Sequence, residues 1–315
     1  MGKKRKSISY AKWGYVFILP FFLVYSVCTL VPLFSTFYYS FFDYYTTQSF
    51  STVGPNFVGI DNYIKLFTPD RMGNIDVLNF TGNTLLMWVM GAVPQILFAL
   101  VLALIFTGIR LRIKGQGFFK TVIYMPNLIM ASAFSMLFFT ILSPVGPINQ
   151  LIELCGGEVI RFFGDIWYTR SIIAFINFLM WFGNTTILLM AGIMGIDQSL
   201  FEAASIDGAK SSQVFFRVTL PLLMPIIVYV LITALIGGLQ MYDVPQIMTN
   251  GKGGVSGTAK TLIMQLNNSV GGVAKNYGRG GALSTYIFII TGVMSFIVFK
   301  ITGKKKDKKS KKGVK

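Results

Sequence analysis

Histidine is missing from this sequence, and with it the side chain that most often runs acid–base chemistry near neutral pH. Cysteine is almost missing too. Cys28 lies inside an apolar run and Cys155 in a polar loop, which leaves no plausible disulfide and no Cys/His metal site. Acidic residues number 12 in 315, and almost none falls inside the apolar segments, so neither a catalytic triad nor a paired-carboxylate site can be assembled. These absences exclude zinc or haem chemistry and argue against an enzyme. Charged residues make up only 13% of the chain, against about a quarter in a soluble domain, while 53% is hydrophobic. The main solvent is therefore expected to be lipid.

What charge there is has one sign. Lys and Arg outnumber Asp and Glu by 28 to 12, for a net +16. Five of these cations lie in the first twelve residues and nine between Lys300 and Lys315, so they flank the apolar part and read as topology signals, not as nucleic-acid-binding arms. The uncharged run from Trp13 to Phe42 spans 30 residues, far beyond the apolar core of a secretory signal, and reads as a retained first span. Six windows are long and apolar enough to cross a bilayer: Trp13–Tyr39, Thr84–Phe106, Thr121–Leu142, Ser171–Met194, Leu222–Tyr242 and Ala282–Ile301. With both termini inside, cytoplasmic segments hold 20 of the 28 cations. One loop fits this rule poorly, since Lys252, Lys260, Lys275 and Arg279 would lie outside. The expected organisation is a basic cytoplasmic segment over 1–12, one all-α six-span domain over 13–301, and a basic tail over 302–315. The run Lys304–Lys312 suits either a topology anchor or contact with anionic lipid.

The glycine-rich stretch NGKGGVSGTAKT, Asn250–Thr261, resembles a phosphate loop only superficially. Lys260 follows Ala259, so the G-x-x-x-x-G-K-[ST] register is absent. Ionisable groups, which ion-coupled carriers place within the membrane, are missing from the six windows. Energy for any transport would then enter from elsewhere. A secondary carrier or channel, which would act without an ATPase, is the competing class. The polar residues within or at the edge of the windows are neutral: Asn127, Asn177, Asn184 and Gln240, with Trp181 and Tyr242 as stacking surfaces nearby. Such amides either hold spans together or meet a hydroxyl-rich substrate, because one group supplies both donor and acceptor.

Between the fourth and fifth windows stands EAASIDGAKSSQVFFRVTLPLLMP, Glu202–Pro225. Ser199 and Glu202 have capping-box spacing, Ala203 and Ala204 leave a flat face, and Gly208 suits the left-handed turn that ends a helix. Ser211 or Ser212 can start a second segment that packs Val214, Phe215 and Val218 inward, and Pro221 restricts the lead into the next span. The expected product is a short helix lying across the cytoplasmic face, within a loop of about 195–221.

Glu202-Ala-Ala-Ser-Ile-Asp-Gly208-Ala, with Gln213-x-Phe215 and Thr219-Leu-Pro221, resembles the EAA signature of binding-protein-dependent ABC importer permeases, in its carbohydrate-uptake branch. Asn56–Tyr63, Gly117–Pro126 and Met248–Gly251 with Thr258 and Thr261 are similar to further phrases of that family, so the resemblance covers most of the chain. It is strongest to the larger maltose permease subunit type, although the large external insert of that subunit and its extra leading spans are missing. The resemblance implies the type I importer permease fold, a plasma-membrane location, and a coupling helix docking an ATPase through Glu202, Ala203, Ala204, Asp207 and Gly208. It also implies a second permease subunit, two ATPase copies and an external sugar-binding protein, with no cofactor and no metal. Asn177 falls on a sugar-contacting asparagine of the family; Asn127, Asn184 and Gln240 do not match its contacts in type. The same architecture moving a polyamine or glycerol phosphate is the nearer alternative.

Overall fold

The computed structural model describes residues 11–70, 73–108, 114–272 and 274–310. The basic residues 1–10, Arg110 and Arg112 of the short loop, and residues 311–315 of the tail lie outside them, as do the side chains of 303–310. In chain order the elements begin with α1 (Ala11–Tyr25), α2 (Val31–Tyr39), strands β1 (Phe42–Thr46) and β2 (Thr52–Phe57), and α3 (Asp61–Phe67). There follow α4 (Asp76–Thr107), α5 (Gln116–Leu128), α6 (Ala131–Ile141), α7 (Pro147–Leu154) and α8 (Ile166–Met194). The last are α9 (Gln198–Ile206), α10 (Ser211–Val214), α11 (Leu220–Leu239), α12 (Asp243–Met248), α13 (Leu262–Val270) and α14 (Tyr277–Ser310).

Two single turns of π-helix, Ser26–Leu30 and Phe215–Thr219, keep long spans continuous. Each ends just before a proline, Pro32 or Pro221. A proline ring clashes with the carbonyl four residues back, here that of Cys28 or Arg217. Widening the preceding turn by one residue moves that carbonyl aside. Val31 accordingly donates to the Ser26 carbonyl and Leu220 to the Phe215 carbonyl, five residues back in both cases. The first span thus runs Lys12–Tyr39, and α10, the second π-turn and α11 form one helical stretch over residues 211–239.

The chain divides into two compact units. Among the described residues, one comprises those up to Thr68 together with those of 268–286. In it β1 and β2 pair antiparallel, with a register shift between Asp43 and Tyr45, so the turn-rich segment after the first span carries a hairpin that its composition did not announce. Buried Asn62 donates to the carbonyls of Ser40 and Phe42 at 2.9 Å each and ties α3 to the hairpin.

The other unit holds α4 to α12. Among the described residues, its apolar interior includes two clusters. The first gathers Met87, Ile173, Ile176, Met180, Met241 and Met248, with Phe134 of α6. The second gathers Ala99, Ala103, Leu189, Ile193, Leu223 and Val230. Rising numbers on α4 and α8 lead from the first cluster to the second, and rising numbers on α11 lead back, so α4 and α8 run parallel and α11 runs against them. Parallel α4 and α8 require one crossing between them. The expected third span meets this requirement as two helices, α5 and α6, bent by 90° at Ile129–Met130. Both residues at the break are extended, with ψ of 135°. Among the described residues, five long apolar helices and this bent pair, taken as one span, give six crossings.

Candidate functional site

Midway along α4, α8 and α11, between the two apolar clusters, lies a cleft of about 280 Å³. Its wall on α8 is Asn177, Trp181, Asn184 and Leu188, spaced at four, three and four residues, which is one helical face. α4 contributes Trp88 and Gln95, two turns apart, and α11 contributes Tyr229, Thr233 and Gly237, one turn apart. No lining residue among those described carries a charge. The floor is tight: Gly91 of α4 approaches α8 so closely that a Cβ there would stand 2.9 Å from the Ala174 carbonyl oxygen. Buried Gln95 donates to the hydroxyl of Thr185 at 2.8 Å across the same seam.

The sequence candidates separate at this cleft. Asn177, Trp181 and Asn184 line it, and Trp181 is 47% exposed. The Asn177 amide nitrogen donates to the Ile173 carbonyl of its own helix and reaches the Met241 sulfur. Asn127, Gln240 and Tyr242 do not line it. Asn127 donates to the Met180 carbonyl at 3.2 Å and joins α5 to α8, Gln240 is exposed at the end of α11, and the Tyr242 hydroxyl accepts from Asn267. Trp88, Gln95, Tyr229 and Thr233 were not among the candidates. Gln95 carries the same signal as Asn177, an amide inside an apolar window, and its spacing from Trp88 places the two on one face.

At the far end of α8 the EAA stretch forms α9. Its cap is Asp197, whose Oδ1 accepts from the Ser199 N–H at 2.9 Å, and not the expected Ser199–Glu202 box. That bond holds the Asp197 carboxyl below the usual carboxylate range. The helix ends as expected. Gly208 has φ +72°, the Ala209 N–H bonds the Ala204 carbonyl and the Gly208 N–H bonds the Ser205 carbonyl, the paired closure of a Schellman motif. The next segment is capped at Lys210, whose backbone N–H donates to the Gln213 side chain at 2.8 Å, just ahead of the two serines. Val214, Phe215 and Val218 are half-buried as expected. Glu202, Ala203, Asp207 and Gly208 are exposed and Ala204 is half-buried. Ile206, one turn beyond Glu202 on the same face, is 87% exposed. The short capped helix thus turns a carboxylate, an alanine and an isoleucine outward together.

The glycine-rich stretch is fastened to α4 and α8 rather than arranged for phosphate. Arg170 donates to the Thr258 carbonyl and to Asn83 Oδ1, and the Asn83 amide donates to the Gly257 carbonyl.

Residues 86–303 match the family described as the binding-protein-dependent transport system inner membrane component. The chain is 30% identical to the probable ABC transporter permease protein YesP of Bacillus subtilis, over 91% of this chain and 89% of the other. It is 28% identical to the lactose transport system permease protein LacF of Rhizobium radiobacter, over 91% and 92% of the two chains. It is 30% identical to the trehalose/maltose transport system permease protein MalF of Thermococcus litoralis, again over 91% and 92%. A crystal structure of a bacterial ABC transporter involved in the import of the acidic polysaccharide alginate superposes with a TM-score of 0.71 at 21% identity, over 93% of this chain and 95% of that one, and shares the fold. The six crossings, the capped helix α9 and the family match together place this chain among the inner membrane components of binding-protein-dependent transport systems.

Proposed function

We propose that this chain is the permease subunit of an ATP-driven importer of neutral carbohydrates. The observation that carries the reading is the cleft halfway along α4, α8 and α11, walled by amides and aromatic rings and free of charge among the described residues. Amides pair with hydroxyls, rings cover the apolar faces of sugars, and a neutral wall suits a neutral solute. A phosphorylated or polyamine solute would bring its charge to a wall with no countercharge, which is unfavourable away from water. The named substrates of the relatives, lactose, trehalose and maltose, belong to the class this wall fits.

In this reading the chain forms half of the pathway beside a second permease subunit. An extracellular binding protein delivers the sugar, and two cytoplasmic ATPase copies hydrolyse ATP. Both termini and α9 face the cytoplasm, and Glu202, Ala203, Ala204, Asp207 and Gly208 receive the ATPase. No step of hydrolysis falls on this chain. Reconstitution of the complete complex with labelled lactose, trehalose and maltose is the test. Uptake is expected to require ATP and binding protein, and Glu202→Lys to lower it by at least about tenfold, since a reversed charge at a docking surface opposes its partner. Uptake by the chain without ATPase, driven by an ion gradient, would overturn the reading.

A further inference from the structure

Trp88 stands out on the wall of the cleft. A Cβ built on Gly238 of α11 would lie 2.0 Å from its Cδ1, 2.5 Å from its Cγ and 2.9 Å from its Cβ. Those atoms are at the root of the side chain, so rotating the ring gives no relief, and only glycine lets the indole rest on α11 there. The neighbouring Gly237 also lines the cleft and has open space where a Cβ would be. The Trp88 Nε1–H is shut off from solvent and has no acceptor among the described residues. Buried donors are almost always satisfied, and one left unpaired disfavours its conformation against any other in which it finds a partner. The ring itself is only half-buried and shares the cleft wall with Trp181, Asn184 and Thr233.

We propose that Trp88 is the gate of the cleft and a specificity-determining residue. In this conformation the indole lies on Gly238 and pins α4 to α11 with its N–H unpaired. When the nucleotide-driven movement separates those helices, the indole leaves the glycine and donates its N–H to a hydroxyl of the sugar. The two conformations then differ by one hydrogen bond, and a substrate hydroxyl that accepts it has a differential hold on the open state. The identity of the acceptor rests on the carbohydrate reading; the movement of the ring does not.

The experiment uses the complete complex in proteoliposomes, with 5-hydroxytryptophan placed at position 88 alone and excited beyond the absorption of ordinary tryptophan. Trapping the ATPases with ATP and vanadate should shift its emission to longer wavelength and raise its quenching by acrylamide. Gly238→Ala, which denies the ring its resting place, should give the shifted emission without trapping. An emission unchanged by both treatments overturns the gate. Trp88→Phe keeps a ring and removes the donor, so the KM for uptake of lactose, trehalose or maltose should rise by up to about tenfold, the usual worth of one hydrogen bond. An unchanged KM overturns the specificity role. If the probe moves on trapping while none of the three sugars enters with the unsubstituted chain, the carbohydrate reading fails and the gate stands.

Discussion

At Asp197 one carboxylate starts the helix that carries the EAA residues, and its charge makes that start sensitive to acid. The Ser199 N–H bonds the ionised form, so the native group is more acidic than the same group in an unfolded chain. Its contribution is complete above the ordinary carboxylate range, near about pH 4, and is lost as the pH falls through the lower native value. Hydrogen exchange at Ser199, corrected for intrinsic rates, should lose protection over that window, and Asp197→Asn should remove the pH dependence. Gly208 invites the opposite kind of test. Nothing lies within 4 Å of a Cβ built there, so a substitution meets only the strain of φ +72° itself. Gly208→Val should carry roughly 1–2 kcal/mol of backbone strain, whereas asparagine tolerates the conformation. Stimulation of the ATPase by loaded binding protein should therefore fall in the valine variant and survive in the asparagine variant, with both chains still inserted. Gly208 was legible in the sequence because its conformation is nearly private to glycine. Asp197 was not, because Asp197 and Ser199 are both good caps two residues apart and composition cannot choose between them.

Between elements, one of the tight approaches in the second unit is made by a glycine. A Cβ on Gly183 of α8 would stand 2.0 Å from the Ile123 carbonyl oxygen of α5, and backbone cannot rotate away. Gly183→Val should force the two helices apart at about 1–3 kcal/mol and lower the thermal midpoint of the detergent-solubilised chain by several degrees. Gly82→Ala is the control, because Gly82 lies on α4 with open space around it and should be neutral or slightly stabilising. A result in which both variants melt alike would remove the argument that α5 is held by its backbone. The same pair of elements marks where sequence reading ends. Hydropathy over Thr121–Leu142 reports apolar length and is blind to direction, so the 90° bend at Ile129–Met130 left no trace in it. The π-turns were legible in principle, because Pro32 and Pro221 each require the preceding turn to yield. The cleft was half legible: Asn177, Trp181 and Asn184 share one face of one helix, but their meeting with Trp88, Gln95 and Tyr229 depends on which helices pack together.

For the whole molecule the strongest constraint is the direction of its helices. α8 leaves the segment holding Cys155, crosses once, and delivers the chain to α9. Cys155 and Ser205 must then lie on opposite sides of the membrane, whichever way round the protein is inserted. Both residues are exposed, so both can be reached by a reagent in water. In the proposed orientation, with both termini and α9 inside, 20 of the 28 cations fall in cytoplasmic segments, the bias that the positive-inside rule expects. The four cations of the glycine-rich stretch count against this orientation and are outweighed by the 20 on the other side. The check uses a chain with Cys28→Ser and either native Cys155 alone or Ser205→Cys in a Cys155→Ser background. An impermeant maleimide added to intact cells should label Cys155 and spare the cysteine at 205, and in inverted vesicles the pattern should reverse. Labelling of both from one side would mean that α8 does not cross, and the parallel run of α4 and α8 would fall with it. A reversed pattern would keep the six crossings and turn the EAA helix away from any cytoplasmic ATPase, which would end the coupling role proposed for Glu202 to Gly208.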